Sequence, residues 1–434
     1  MITTWRATAE RALIVAGLFL SFFVLPHEII SDAMVRYLAL AELVEWHKVS
    51  PMAYSFIGPL FSAPLYLAGK LAMTPDWWCA RFNTTVLAAG LLVMWLMTRG
   101  RIDAGLRRKF FLVLLAASMF PNHLRGYFTE VFSSVMVAVG LWAVRLGRPG
   151  LGWSAVTLGV ANMPATLLGL TLATIRHVWD TRRLRHLLVI ALTVALWLLE
   201  SWMRRGHPTW TGYQGNHGPR TVLPYSGLTG FSYPLFFGLL SVFLSFGKGL
   251  LFFAPGLLLM PREWMSDELN GVHRLWLWFL AGMILVYASW WAWFGGWFWG
   301  PRFFLFACFP ASLAIAVRLH QVDRLPVSAV ATTLSVLTLS AWVGLSGAGF
   351  DQSDLIHSCT TELEFLCWYV PEFSALWYPF VTNWRPGTNA FVMMGYCGGV
   401  YLWLAAPLMR ALVTKATPHL MRVVRDNASA GWRF

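Results

Sequence analysis

Residues 12–37 read ALIVAGLFLSFFVLPHEIISDAMVRY, and this stretch decides the fold. Ala12 to Leu25 is an apolar run behind two basic residues, Arg6 and Arg11. A secretory leader would end in a small-residue cleavage site. Here Pro26, His27 and Glu28 follow instead, so the run reads as a retained first membrane helix. The second half of the stretch then places Glu28, Asp32 and Arg36 at the edge of an apolar phase, where ionisable groups are costly and tend to mark function.

The same pattern continues through all 434 residues, of which 57% are hydrophobic and only 12% charged. A soluble domain carries about 25% charged residues, so a water-soluble surface is excluded. The 25 Trp and 31 Phe suit membrane interfaces, apolar pockets and isoprenoid or sugar contacts. The net charge of +13 lies in short loops between apolar segments. Topology therefore explains it better than nucleic acid, for which no basic soluble domain is present.

The positive-inside rule places the N-terminus, Arg99 to Lys109, Arg176 to His186, the region 318–324 and the tail beyond Lys415 on the cytoplasmic side. Segments 26–81, 121–130, 204–230, 290–302 and 347–389 then lie outside. The expected spans are 12–26, 82–98, 109–121, 131–146, 187–203, 250–260, 275–293, 303–319, 326–346 and 389–410, with 151–175 a pair of short helices bent near Asn162-Met163-Pro164. That makes about 12 crossings. Stretches 51–73 and 231–247 are apolar but interrupted, and read as interfacial helices on the outer face. The fold class is an all-α polytopic membrane bundle with no large soluble domain. Residues 1–434 form a single membrane domain, with a catalytic module over 1–320 and C-terminal helices over 321–434 that carry the outer loop 347–388. Cys359 and Cys367 share that loop, where a disulfide is as plausible as two free thiols.

Charge placement supplies the candidate chemistry. Glu28, Asp32 and Arg36 are spaced by four, so a helix would stack them on one face. A carboxylate beside a guanidinium stays ionised and oriented, as a general base must be. The same spacing fits a solvated helix with ordinary ion pairs. A second cluster, Tyr287 to Phe303, carries Gly295, Gly296 and Gly300 and ends at Arg302, an interfacial arginine suited to gripping a phosphate or to sitting in an aromatic belt. In Ser245-Phe-Gly-Lys-Gly-Leu250, Lys248 either reaches a phosphate or snorkels. Further outer-face polar residues are His123, Arg125, Tyr127 and Glu130, then Tyr213, His217 and Arg220. No nucleotide-binding glycine loop, catalytic triad order or zinc motif is evident, so a sugar donor used outside the cell would be lipid-borne.

At these residues the chain resembles the GT-C superfamily of polytopic glycosyltransferases. The resemblance rests on the first outer loop from His27 to Asp32, on Tyr54-Ser55 through Pro64, on Ser245 to Leu250 with Ala254-Pro255, and on Trp290 to Phe303. It is similar to bacterial members related to protein mannosyltransferases and aminoarabinose transferases. It covers most of the chain from residue 12 to about 320. The large soluble outer domain of some members is missing, as is the paired acidic motif of others.

The resemblance implies an inverting transfer from a polyprenyl-phosphate sugar at the outer face of the inner membrane, with Asp32 as base and Glu28 as rival. Arg302, Lys248 and Arg36 would meet the donor phosphate. Tyr54, His123, Arg125, Glu130, Tyr213 and His217 would meet sugar or acceptor, which is a surface glycan, a lipid or a secreted protein. Membrane lipids are partners. A divalent metal is compatible with the architecture, although no ligand cluster stands out. Two rivals remain: a transporter or flippase of lipid-linked sugar, and a polymerase or ligase using Arg204, Arg205, His207, His217, Arg220 and His357.

Overall fold

In hydrocarbon a backbone N–H or C=O finds no water, so a spanning segment must satisfy its hydrogen bonds within itself. The protein follows this rule in a computed structural model that describes residues 2–296, 298–349, 355, 358–359, 361–382 and 385–429. The described residues form helices and short turns, with no strand and no large soluble domain among them. His357 lies outside the described residues.

Among the described residues five stretches are long and apolar enough to cross a membrane: Leu184–Arg205, Asp267–Ser289, Arg302–His320, Val327–Gly349 and Thr388–Thr417. Shorter apolar helices pack among them. Ile2–Phe23 runs beside Phe82–Thr98 and Ala104–Ala116, and Thr129–Arg145 packs against Pro149–Asn162. Lipid offers no hydrophobic drive between helices, so close backbone approach through small residues matters. A Cβ on Gly140 would sit 2.6 Å from the Gly152 carbonyl, and one on Gly152 would sit 2.6 Å from the Gly140 carbonyl. These two glycines therefore set the spacing of that helix pair.

The expected bend after residue 162 is present: Pro149–Asn162 stops, Pro164–Thr166 makes a tight turn, and Leu167–Thr181 returns. Several expected spans differ in bounds or form; 12–26 begins earlier, as Ile2–Phe23, and 275–293 begins earlier, as Asp267–Ser289. Residues 250–260 are not one helix but Leu250–Phe253 followed by a turn at Pro255–Leu258, because Pro255 cannot continue the hydrogen-bond ladder. The span drawn over 109–121 begins earlier, as Ala104–Ala116, because Asp103 caps it by accepting from the Gly105 and Leu106 amides at 2.6 and 3.1 Å.

Charged groups gather at two opposite ends. One end holds Glu10–Arg108 at 2.5 Å, Arg101–Glu268 at 3.5 Å and His320–Asp103 at 3.7 Å. Lys415 there donates to the carbonyls of Val322, Asp323 and Leu325. These are the loops expected on one side from their basic residues. The opposite end holds Asp32–Trp46, Ile57–Leu71 and Pro75–Ala80, which share a small apolar core built from Ala33, Leu40, Phe56, Tyr66, Phe82 and Phe132. Ile57–Leu71 leaves Leu60, Phe61, Leu67 and Leu71 exposed, as an interfacial helix should.

Residues 361–380 cap this end as a series of short turns. Tyr369 shares hydrogen bonds with the Tyr233 and Ser241 hydroxyls at 2.7 and 2.9 Å, and Trp368 stacks on Phe294 at 3.8 Å. Cys359 and Cys367 are joined as a disulfide. Cys79, Cys308 and Cys397 are free and buried.

Candidate active site

Asp32 opens the helix Asp32–Trp46, where a negative charge complements the helix dipole. The turn before it is held from outside. The Glu28 amide donates to the Arg125 carbonyl at 2.8 Å, and Ser31 takes a left-handed φ of 52° to turn the chain into the helix. Glu28 thus precedes the helix instead of sharing a face with Asp32. Its carboxylate lies 3.6 Å from Arg125 and is about half exposed.

Two side chains from distant segments meet at Asp32. Tyr54 donates its hydroxyl to Oδ1 at 2.6 Å, and Arg302 donates through Nη2 to Oδ2 at 3.1 Å. Arg36 is not the direct partner that the i, i+4 spacing suggested; its guanidinium lies 4.2 Å over the Tyr54 ring. Burial alone would raise the Asp32 pKa, but the Arg302 charge, the Tyr54 hydrogen bond and Arg36 together outweigh it and hold the carboxyl below its ordinary value. Burial and the Asp32 carboxylate push the Tyr54 hydroxyl far up, so it remains a donor.

Arg302 is built in from both sides. Its guanidinium lies 3.8 Å over Phe298, and its Nε faces Glu130 Oε1 at 3.7 Å. Glu130, in the first turn of Thr129–Arg145, is almost fully buried. Several polar atoms here are buried with no hydrogen-bond partner: Arg36 Nε and Nη1, Arg302 Nε and Nη1, and Glu130 Oε2. Buried donors are normally paired, so unpaired ones on two arginines have the chemistry to bind an anion.

Tyr54 is placed by a knot that the sequence reading missed. Arg204 donates to the carbonyls of Ser50, Met52 and Tyr54 at 3.1, 2.6 and 2.7 Å, and pairs with Glu200 at 2.5 Å. Glu200 also accepts from the Phe56 amide at 2.8 Å, and Arg205 donates to Met52 and Ala53. The signal was available: Glu200 and Arg204 are four apart at the end of an apolar helix, Leu188–Arg205. These two arginines therefore hold a loop, which removes the core of the polymerase or ligase reading. His207, His217 and Arg220 are exposed in the following loop.

Other candidates are placed unequally. Tyr213 meets Tyr54 edge to face at 6.1 Å, and burial leads the effects that push its hydroxyl up to about 12. His123 is buried beside Trp299, donates through Nδ1 to the Met119 carbonyl at 3.0 Å, and is held neutral by burial, which lowers it to about 4. It packs the site from behind, so the reading of it as a sugar contact is corrected. His217 turns to the Gly218 carbonyl at 2.9 Å within its own loop and is not brought to the cluster.

Lys248 is likewise corrected. Its ammonium donates to the carbonyls of Gly296, Phe298 and Gly300, so its three N–H groups are already used. Burial, aided by Arg302, pulls its pKa down to about 7. Gly295, Gly296 and Gly300 all have positive φ, between 63° and 79°, which lets the turn curl its carbonyls around the lysine. Lys248 thereby shapes the turn that presents Phe298 and Arg302. Among the described residues no group of three or more His, Cys, Asp and Glu is arranged to hold a metal ion. Asp32 and Glu130 fit one poorly, because Arg302 stands between them.

No protein-family profile and no curated protein sequence matches the chain. Solved structures do. ArnT from Cupriavidus metallidurans in the apo state aligns with a TM-score of 0.53 at 12% identity, over 94% of this chain and 78% of that one. The same protein bound to undecaprenyl phosphate aligns with a TM-score of 0.53 at 14% identity, over 95% and 78%. The chain thus shares the fold of ArnT across nearly its whole length.

Proposed function

We propose that the protein is a GT-C-type glycosyltransferase that moves a sugar from a polyprenyl-phosphate donor to a hydroxyl group at the outer face of the inner membrane. The observation that carries the reading is the Asp32–Tyr54–Arg302 cluster beside unpaired buried guanidinium donors, at the end of the bundle opposite the basic loops. The ArnT fold, solved in one case with undecaprenyl phosphate, supports a lipid phosphate as the anion.

In this reading the isoprenoid tail lies among the helices, and the phosphate meets Arg302 and Arg36. The acceptor hydroxyl attacks the anomeric carbon from the side opposite the phosphate, so configuration inverts. The new oxygen–carbon bond forms as the carbon–oxygen bond to phosphate breaks. The bonding pair leaves with the polyprenyl phosphate, and the acceptor proton passes to Asp32. The two arginines stabilise the departing charge, which needs no proton of its own, so a second carboxylic acid is not required. Asp32 is favoured over Glu28 because it touches both Tyr54 and Arg302, whereas Glu28 pairs with Arg125. Tyr54 and Tyr213 supply an aromatic wall for a sugar ring. Glycans, lipids and secreted proteins with a free hydroxyl are the acceptor classes. The unit extends over 1–434, with the catalytic module in 1–320.

The test is transfer of labelled sugar from a panel of polyprenyl-phosphate donors by the purified chain, wild type against Asp32→Asn. A folded mutant that has lost activity supports the reading. Full activity in Asp32→Asn rejects Asp32 as base, and inactivity of the wild type with every donor and acceptor rejects the enzyme class.

A further inference from the structure

Two chemistries need Arg302 at once. Its Nη2 is engaged by Asp32 at 3.1 Å and its Nε faces Glu130 at 3.7 Å. Its Nε and Nη1 are buried without a hydrogen-bond partner, and the guanidinium lies over the Phe298 ring at 3.8 Å. A guanidinium grips a phosphate best through two parallel N–H bonds. The free end-on edge comprises Nη1 and the outer hydrogen of Nη2, the same nitrogen that serves Asp32. An anion docking there draws on the charge that now holds the base.

We propose that Arg302 is shared between Asp32 and the donor phosphate, so that donor binding arms the base. Without donor, the guanidinium and Tyr54 tie up both carboxylate oxygens. With a phosphate on the end-on edge, part of the Arg302 charge is neutralised and Asp32 becomes a better proton acceptor. The base thus gains strength only when a leaving group is in place. The Glu130 charge faces the Nε edge at 3.7 Å, which leaves the Nη1 side for an incoming anion, and Arg36, with Nε and Nη1 unpaired, supplies the second set of donors to the anion. This inference rests on the lipid-phosphate reading above.

Coupling of this kind is reciprocal: if phosphate weakens the hold of Arg302 on Asp32, the Asp32 charge weakens phosphate binding by the same factor. The base mutant should therefore bind the lipid phosphate more tightly than wild type. The charged and titratable groups around Asp32 are Arg36, Tyr54, Tyr213, Glu130 and Arg302, and only Arg302 touches both its carboxylate and an unfilled donor edge in this scheme. Plain repulsion between Asp32 and phosphate would also tighten binding in the mutant, but it would not need Arg302.

The experiment is a double-mutant cycle on binding of undecaprenyl phosphate to the full chain in lipid nanodiscs, with wild type, Asp32→Asn, Arg302→Gln and the double variant. Thermal unfolding checks each variant for folding, and Asp32→Ser replaces Asp32→Asn if the latter does not fold. The expected result is tightening on the order of tenfold, about 1.4 kcal/mol, in Asp32→Asn, with no tightening from the same change in the Arg302→Gln background. Unchanged or weaker binding in Asp32→Asn overturns the sharing, as does equal tightening in both backgrounds. A wild type that binds no undecaprenyl phosphate overturns the functional reading itself, which is a separate outcome.

Discussion

Replacing Tyr54 by Phe removes one hydroxyl and leaves the ring. The 2.6 Å bond to Asp32 Oδ1 is lost, while the face on which Arg36 rests at 4.2 Å is kept. A hydrogen bond to a charged group contributes about 1.5–3 kcal/mol. The Asp32 side chain is 19% exposed, so water partly replaces the lost donor and the lower end, about 1.5 kcal/mol, is expected. The sign follows from linkage. A carboxyl whose folded pKa is depressed adds stability that is present above its unfolded pKa and lost as pH falls through the folded one. Removing a donor to the ionised form raises the folded pKa towards the ordinary value. The acid limb of kcat/KM should therefore move to higher pH, and the loss of folding stability should be largest near neutrality and shrink in acid. At neutral pH Asp32 remains ionised, so kcat/KM should fall by no more than about tenfold, the kinetic equivalent of 1.4 kcal/mol. Steady-state transfer across a pH series and unfolding in parallel measure both effects. An acid limb that does not move in a folded mutant would refute the assignment of Asp32 as the titrating base held by Tyr54.

Three further outcomes follow from the same geometry. Glu28→Gln removes the charge that faces Arg125 at 3.6 Å but touches neither Tyr54 nor Arg302, so transfer should stay within about threefold of wild type, as an exposed ion pair is worth only ~0–1 kcal/mol; a loss like that of Asp32→Asn would make Glu28 the base. Arg204→Ala strips the loop at 50–54 of its anchor and leaves Glu200 without its cation, so unfolding in detergent should show a loss of about 3–5 kcal/mol, with Arg204→Lys recovering only part. Lys248→Met frees the carbonyls of Gly296, Phe298 and Gly300, and should lower stability by roughly 1.5–3 kcal/mol and kcat with it; a raised donor KM with unchanged stability would restore Lys248 as a phosphate ligand.

Legibility of the sequence divided along physical lines. Apolar runs and basic loops are long-range averages, so the membrane class, the helix pair across Asn162 and the interfacial helix at 57–71 could be read directly. The break within 250–260 was signalled by Pro255, yet hydropathy averaged over the run concealed it. At the site, local spacing singled out Asp32 as a candidate but named the wrong cation beside it. The four-residue rule pairs Asp32 with Arg36, whereas the fold brings Arg302 to it across a separation of 270 residues. No periodicity encodes that contact. Lys248 failed for the opposite reason. A lone lysine between glycines looks available, and only the curled turn at 296–300 reveals the acceptors that occupy it. Arg204 and Arg205, taken as candidates for a different chemistry, prove to be fastenings for the loop that carries Tyr54, the hydrogen-bond donor to Asp32.

These fastenings explain why so compact a set of charges is stable at the edge of an apolar phase. Asp32 and Glu130 offer two negative charges, and Arg36 and Arg302 two positive ones, so the cluster is balanced before any substrate arrives. Balance alone is insufficient, because a buried ion pair contributes little net stability unless its remaining donors and acceptors are satisfied. Here they are not: both arginines keep unpaired nitrogens, and Glu130 keeps an unpaired oxygen. The compensation comes from the surroundings. The Phe298 and Tyr54 rings take the faces of the guanidinium groups. Lys248 fixes the turn beneath Phe298, and Arg204 fixes the loop beneath Tyr54. A site optimised only for stability would close those open valences with a side chain. The proposed phosphate would close them instead, with the cost of leaving them open carried by the rigid supports on either side of Asp32.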